Sequence, residues 1–281
     1  MLVCVLGAGV MGTGIASLFC LSPDVREVLI WGRSQLTLDA SFTKIKKEIS
    51  RFARKNKLSS EEEGLLLSKV SFKTDLSELQ NCDLYIEAIA EDFGIKSQLL
   101  SELRPYIPDT AIVATNTSSL SVTALAMKVN VPENFIGIHF FNPTSVMLLV
   151  ELIKGLVTSE ETLNKVISLV EKLEKKPVVV KESPGFVVNR MLIPMINEAI
   201  AIYSEGVATK VDIDNAMKFG ANHPIGPISL ADLIGTDVCL SIMETLHLET
   251  GDPKYRAHPL LRQYVRAGWL GRKVKKGFYN Y

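Results

Sequence analysis

The chain lacks any long unbroken apolar stretch. A membrane-spanning helix needs roughly 20 consecutive apolar residues. The richest candidate, residues 187–203, is interrupted by Asn189, Arg190, Asn197 and Glu198, so no membrane association is expected. A charge imbalance is also missing: 31 Lys plus Arg face 31 Asp plus Glu in 281 residues. That balance gives no bulk attraction for nucleic acid or for an anionic membrane. Paired cysteine spacing is absent as well. Cys4, Cys20, Cys82 and Cys239 form no C-x-x-C motif and read as reduced, mostly buried thiols of a cytoplasmic protein. No charged segment and apolar core precede the first strand-like run, which begins at residue 2, so no secretory leader is expected. The four histidines fall in no H-E-x-x-H or other metal-ligand cluster, and no catalytic metal is expected.

What is present starts with the first fourteen residues. The apolar run Leu2-Val3-Cys4-Val5-Leu6 is followed without a gap by Gly7-Ala8-Gly9-Val10-Met11-Gly12. This is G-x-G-x-x-G between a strand and a helix, the context in which the motif binds a dinucleotide. Gly7 allows the tight turn, Gly9 lets backbone approach a pyrophosphate, and Gly12 lets the helix pack close to the strand. The free N–H groups and positive dipole end of the helix then face the phosphates. Gly7, Gly9, Val10, Met11 and Gly12 are therefore the expected cofactor loop.

The first 180 or so residues alternate strand-like and helix-like segments. Residues 28–31, 83–90, 111–115, 135–140 and 177–180 read as strands. Leu38, Phe42, Ile45, Ile49 and Phe52 recur at spacings of four, three, four and three, the stripe of an amphipathic helix. Residues 94–103 and 160–173 read as further helices. This alternation predicts an α/β fold with a doubly wound, Rossmann-type, mostly parallel sheet. Near Ser183-Pro184-Gly185 the pattern changes to helices alone, at 186–205 around Pro194, at 211–219 and at 228–249. The expected organisation is a dinucleotide-binding domain over 1–182 and an all-α C-terminal domain over 183–281. The apolar richness of the helical domain suggests a homodimer formed through it.

Candidate chemistry lies beyond strand ends, where open α/β sheets bind ligands. Asn116-Thr117-Ser118-Ser119 follows the strand at 111–115, and these polar groups suit substrate or nicotinamide contacts; Ser and Thr there also suit a helix N-cap. His139 ends the strand that begins at Phe135, and Glu151 lies twelve residues on. A histidine with a carboxylate able to orient it suits proton transfer near neutral pH. A core histidine satisfied by a backbone carbonyl is the competing reading.

Gly-Ala-Gly-x-Met-Gly, Asn116-Thr-Ser-Ser119, His139-Phe-Phe-Asn-Pro143 and Pro184-Gly-Phe-Val-Val-Asn-Arg190 occur in this order. Gly226-Pro227, Gly235-Thr236-Asp237 and a closing Gly271-Arg-Lys…Lys276-Gly-Phe-Tyr279 follow them. With these motifs the chain resembles the 3-hydroxyacyl-CoA dehydrogenases over essentially its whole length, and most of all their bacterial 3-hydroxybutyryl-CoA members. The resemblance implies an acyl-CoA substrate, a nicotinamide cofactor and a place in short-chain acid metabolism, such as butyrate formation or fatty-acid breakdown. It implies that His139 is the general base of oxidation and the general acid of reduction, that Glu151 orients it, and that Ser118 and Asn189 bond the substrate oxygen or the surroundings of the histidine. Asn189 falls just inside the second domain, which implies a site in an interdomain cleft. By the same resemblance Glu91, Lys96, Asn116, Asn142 and Lys273 contact the cofactor, while Arg51 and Lys55 hold the coenzyme A nucleotide. The basic helix carrying those two would attract a polyanion, although a solvated helix face reads the same way.

The sequence departs from the pattern after the second strand. An acidic residue normally binds the adenosine ribose there, about twenty residues past the glycine motif. Here the segment is Trp31-Gly32-Arg33-Ser34. Gly32 removes the repulsion of a 2′-phosphate, Arg33 can pair with it and Ser34 can donate to it. The expectation is NAD(H) or NADP(H), with NADP(H) favoured. Two smaller departures are Leu148, where many relatives have lysine, and Val274-Lys275 in place of a Ser-Gly pair. A dehydrogenase of a free hydroxy acid and a non-catalytic, lambda-crystallin-like protein are the competing functions on the same plan.

Overall fold

Leu2–Leu6 form β1, apolar throughout and almost wholly buried, the pattern of a strand covered on both faces. It pairs in parallel with β2 (Glu27–Trp31) on one side and β4 (Leu84–Glu87) on the other. β3 (Val70–Lys73), β5 (Ile112–Thr115), β6 (Phe135–Phe140), β7 (Leu149–Lys154) and β8 (Lys176–Lys181) complete one sheet of order β3-β2-β1-β4-β5-β6-β7-β8. β1 to β6 are parallel; β7 runs antiparallel to β6, and β8 is parallel to β7. The chain leaves β1 toward β2 and later returns beside β1 as β4, so the strand order reverses there. That is the topological switch point of a doubly wound sheet.

The computed structural model describes all of residues 1–281, in two units, Met1–Ser183 and Pro184–Tyr281. In the first unit the sheet is covered by α1 (Val10–Cys20), α2 (Gln35–Asn56), α3 (Ser60–Ser68), α4 (Phe93–Leu103), α5 (Val122–Ala126) and α6 (Glu160–Lys172). Its core joins Val3, Val5, Ile15, Phe19, Ile30, Ile45, Ile49, Ile86 and Ile138. In α2 the buried stripe is Leu38, Ser41, Ile45, Ile49 and Ala53. The expected Phe42 is 40% exposed and meets the Phe72 ring edge-on instead. α3 and β3 are additions to the sequence reading. Ser59 starts α3 through a reciprocal capping box with Glu62. All four cysteines are buried and unpaired.

The second unit is helical: α7 (Val188–Ser204), α8 (Lys210–Gly220), α9 (Pro227–Ile234), α10 (Thr236–Thr250) and α11 (Pro259–Arg266). α7 contains Pro194 and packs Ile193, Ile196 and Ile200 against Ile228, Met243, Leu246 and Leu261. The single helix expected over 228–249 is two helices. Gly235 separates them at φ +108, a conformation that L side chains rarely adopt. Two buried carboxylates knit the unit together. Asp214 accepts from the Ile228 and Ser229 amides at the start of α9, and Asp232 accepts from the Phe278 and Tyr279 amides of the tail. No helix is long and apolar enough to cross a membrane.

Candidate active site

The turn from β1 into α1 is shaped for a phosphate. Gly7 has φ +120, and a Cβ on it would lie 2.7 Å from the Ala88 carbonyl oxygen. A Cβ on Gly12 would lie 1.9 Å from the Gly7 carbonyl oxygen, so strand and helix can approach this closely only without a side chain. Around Gly9 a Cβ would meet nothing within 4 Å. Gly9 is the N-cap of α1 and offers no side-chain cap, so the first amides of the helix face an open approach. Val10 beside it is exposed and Met11 half-buried. The loop fits a dinucleotide pyrophosphate.

Beyond β2, Gly32 is buried and Arg33 is exposed. A Cβ at Gly32 would lie 2.8 Å from Leu38 Cδ2, a buried core atom, so the missing acidic side chain matches the packing beneath it. The Ser34 hydroxyl accepts from the Thr37 amide and caps α2.

A polar network spans the ends of β4 and β5 and the start of α4. Lys96 is 1% exposed, and its Nζ lies 2.6 Å from Glu87 Oε1 and 3.4 Å from Glu91 Oε2. Glu91 Oε1 accepts from the Thr117 hydroxyl at 2.6 Å, the Ser118 amide at 2.8 Å and the Ser119 amide at 3.0 Å. The Ser118 and Ser119 hydroxyls also donate to it, each at 3.1 Å. Burial alone would raise the Glu91 carboxyl; the Lys96 ammonium and these donors outweigh it and hold the group below its ordinary value. Asn116 Oδ1 accepts from the Phe140 amide at 2.8 Å, tying the end of β5 to the end of β6.

His139 and Glu151 are paired across the antiparallel β6–β7 ladder. Residues directly opposite one another project to the same face of a sheet. Nδ1 of the buried His139 accordingly lies 2.8 Å from Glu151 Oε2. The Phe141 ring stands 4.4 Å from the imidazole. Asn142 is exposed on the loop that follows. Lys175 supports this loop by donating to the Thr144 and Met147 carbonyl oxygens at 2.6 and 2.9 Å.

Arg51 and Lys55 are exposed on the last turns of α2. Nearer the start of that helix is a cavity of about 240 Å³, lined by Thr13, Lys44, Lys47, Glu48, Asn142 and Thr144. In the second unit Asn189 lies in the first turn of α7, and Lys273 is paired with both oxygens of Asp237 at 2.6 Å.

The first unit therefore gathers Glu91, Lys96 and Ser118 into one network and His139 with Glu151 into one pair. Two residues here were missed by sequence reasoning. Glu87 is one acid in an apolar strand, and a lone acid in a strand gives no signal beyond being out of place. Lys175 ends a charged helix terminus and looks like a solvated lysine.

Residues 2–183 match the family model for the 3-hydroxyacyl-CoA dehydrogenase NAD-binding domain, and residues 185–281 match that family's C-terminal domain. A 3-hydroxybutyryl-CoA dehydrogenase of Clostridioides difficile is 48% identical over 277 residues, covering 99% of this chain and 98% of that protein. A probable 3-hydroxybutyryl-CoA dehydrogenase of Bacillus subtilis is 48% identical over 278 residues, covering 99% and 96%. Among solved structures, the (S)-3-hydroxybutyryl-CoA dehydrogenase of Ralstonia eutropha superimposes with a TM-score of 0.93 at 42% identity, covering 100% of this chain and 98% of that one. With a matching model over each unit and relatives that align from end to end, the chain belongs to the 3-hydroxyacyl-CoA dehydrogenase family.

Proposed function

We propose that the protein interconverts 3-hydroxybutyryl-CoA, or another short-chain 3-hydroxyacyl-CoA, and the corresponding 3-oxoacyl-CoA. The observation that carries this reading is the buried His139–Glu151 pair on adjacent strands in a chain whose relatives are dehydrogenases of that name. The nicotinamide cofactor, when bound, supplies or accepts the hydride at carbon 3. His139 takes the proton of the 3-hydroxyl in oxidation and returns it in reduction. Glu151, bonded at Nδ1, fixes the imidazole so that Nε2 exchanges that proton, and its charge favours the imidazolium. Ser118 and Asn189 bond the substrate oxygen or the surroundings of the histidine. The glycine loop at Gly7–Gly12 binds the pyrophosphate, and Glu91, Lys96, Asn116, Asn142 and Lys273 serve the ribose and nicotinamide end. Arg51 and Lys55 hold the coenzyme A nucleotide, and Lys44 and Lys47 in the adjoining cavity extend the same cationic face.

NADP(H) is the favoured cofactor of this proposal. An exposed Arg33 beside a side-chain-free Gly32 offers a charge-assisted contact to a 2′-phosphate with no carboxylate to repel it. The protein works in the cytoplasm as a homodimer joined through its helical unit. Val207, Phe219 and Leu248, which are 70, 81 and 82% exposed, supply apolar surface for that contact. The deciding experiment is acetoacetyl-CoA reduction with NADPH and NADH compared by kcat/KM. Turnover with higher efficiency for NADPH supports both parts. Higher efficiency for NADH removes the Arg33 assignment and keeps the reaction, whereas no turnover with either removes the reaction.

A further inference from the structure

Glu87 ends β4 with no solvent exposure; its main chain joins the ladder opposite Leu6 and Thr115, a role that does not call for a carboxylate side chain. Three donors converge on its carboxylate. Lys96 Nζ and the Ile89 amide reach Oε1 at 2.6 and 2.7 Å, and the Thr115 hydroxyl reaches Oε2 at 2.6 Å. Its main-chain carbonyl oxygen accepts from the Asn116 amide at 2.8 Å. Two of these partners, Lys96 and Asn116, lead toward the reacting groups. Lys96 bridges to Glu91, Glu91 gathers Thr117, Ser118 and Ser119 onto one oxygen, and Asn116 ties into the strand that carries His139.

A buried ion pair is a poor way to stabilise a fold, because desolvation offsets most of the attraction and an apolar pair of the same volume often does as well. Its value is in fixing geometry where several polar groups must take one arrangement. Here the pair sits at the carboxyl ends of β4 and β5, beside the switch point where the sheet binds its ligand. Lys96 lies between two carboxylates, with Glu87 fully buried and Glu91 a third exposed. Glu87 anchors the ammonium from below, and Glu91 is drawn to it from above.

We propose that Glu87 is a positioning residue of the dehydrogenase site: it holds the Lys96 ammonium against Glu91, whose carboxylate shapes the turn that presents the Ser118 hydroxyl. This rests on the acyl-CoA dehydrogenase reading for its kinetic consequence, but not for its structural one. Glu87→Gln is the informative change. The amide oxygen can accept from Lys96 and Ile89 while the amide nitrogen donates to the Thr115 hydroxyl, which rotates to accept. Shape and the contacts to Lys96, Ile89 and Thr115 are kept, the last with its direction reversed, and the charge is lost.

The test measures amide hydrogen exchange at Ser118 and Ser119 together with kcat/KM for acetoacetyl-CoA reduction, in wild type, Glu87→Gln, Lys96→Met and the double variant. The expected result is exchange at those two amides about tenfold faster in each single variant, and kcat/KM at least about tenfold lower. In the Lys96→Met background, adding Glu87→Gln changes kcat/KM less than about twofold, because Glu87 acts through Lys96. Exchange at Ser118 and Ser119 within about twofold of wild type in Lys96→Met overturns the proposal even when Glu87→Gln does not fold. Fully additive losses overturn it as well. A wild type without turnover refutes the dehydrogenase reading alone, since the exchange measurement still decides whether Glu87 and Lys96 position the turn.

Discussion

Replacing Glu151 by Gln removes one charge from a buried pair and leaves an acceptor in place. The imidazole Nδ1 lies 2.8 Å from Oε2, and the Glu151 side chain is 1% exposed, so water cannot substitute for the carboxylate. Charge centres about 4 Å apart at an effective dielectric constant near 20 attract by about 4 kcal/mol. A Gln amide oxygen still accepts from Nδ1–H, and a neutral hydrogen bond returns about 1 kcal/mol. The net loss, about 3 kcal/mol, falls on the state in which His139 becomes an imidazolium, and it corresponds to a drop in kcat on the order of 10². The assay is oxidation of 3-hydroxybutyryl-CoA at saturating cofactor, with dinucleotide affinity measured separately by fluorescence titration. Affinity is expected to stay within about twofold, because Glu151 pairs with His139 across β6 and β7 while the glycine loop lies at the β1–α1 turn. A loss of kcat under about threefold, or a loss confined to dinucleotide affinity, refutes the reasoning.

Other consequences follow from the same geometry. Arg33→Ala should lower kcat/KM for NADPH by about tenfold and leave NADH within about twofold, because only the 2′-phosphate needs the guanidinium; equal losses with both cofactors would count against the assignment. The Arg51→Ala, Lys55→Ala double variant should raise KM for acetoacetyl-CoA several-fold with kcat nearly unchanged, and the effect should shrink as salt is added; an unchanged KM at low salt would free these residues from coenzyme A. The Glu91 carboxyl is held below its ordinary value in the folded protein. Its contribution to stability is therefore present above the unfolded glutamate value, about 4.3, and is lost as pH falls through the folded one. The Tm advantage of wild type over Glu91→Gln should accordingly vanish at acid pH; an advantage that persists there would place its origin elsewhere than in the charge.

Much of the fold is legible in the sequence where a local pattern coincides with a single physical role. G-x-G-x-x-G directly after an apolar run predicts strand, turn and helix together, because each glycine has its own steric reason. The helix-only stretch after Pro184 is likewise readable from periodicity. β3 is not, since its four residues are half-buried on an edge and follow a charged helix. The break at Gly235 was hidden because apolar residues continue on both sides of it. The candidate site is less legible still. That residue 139 faces residue 151 depends on β7 turning antiparallel to β6, a fact of topology and not of spacing. Glu87 and Lys96 are nine residues apart in segments that look unrelated, and only the crossover from β4 to α4 brings them to 2.6 Å. Their partnership is tertiary, so no local propensity records it.

The most direct test of the whole account is acetoacetyl-CoA reduction by the wild-type protein and by His139→Gln, compared by kcat at saturating substrate and the better cofactor. Clear turnover by the wild type and a loss of about 10²–10⁴ in the variant are expected, the range for removal of a general acid–base group. Retention of most of the turnover by His139→Gln would contradict it.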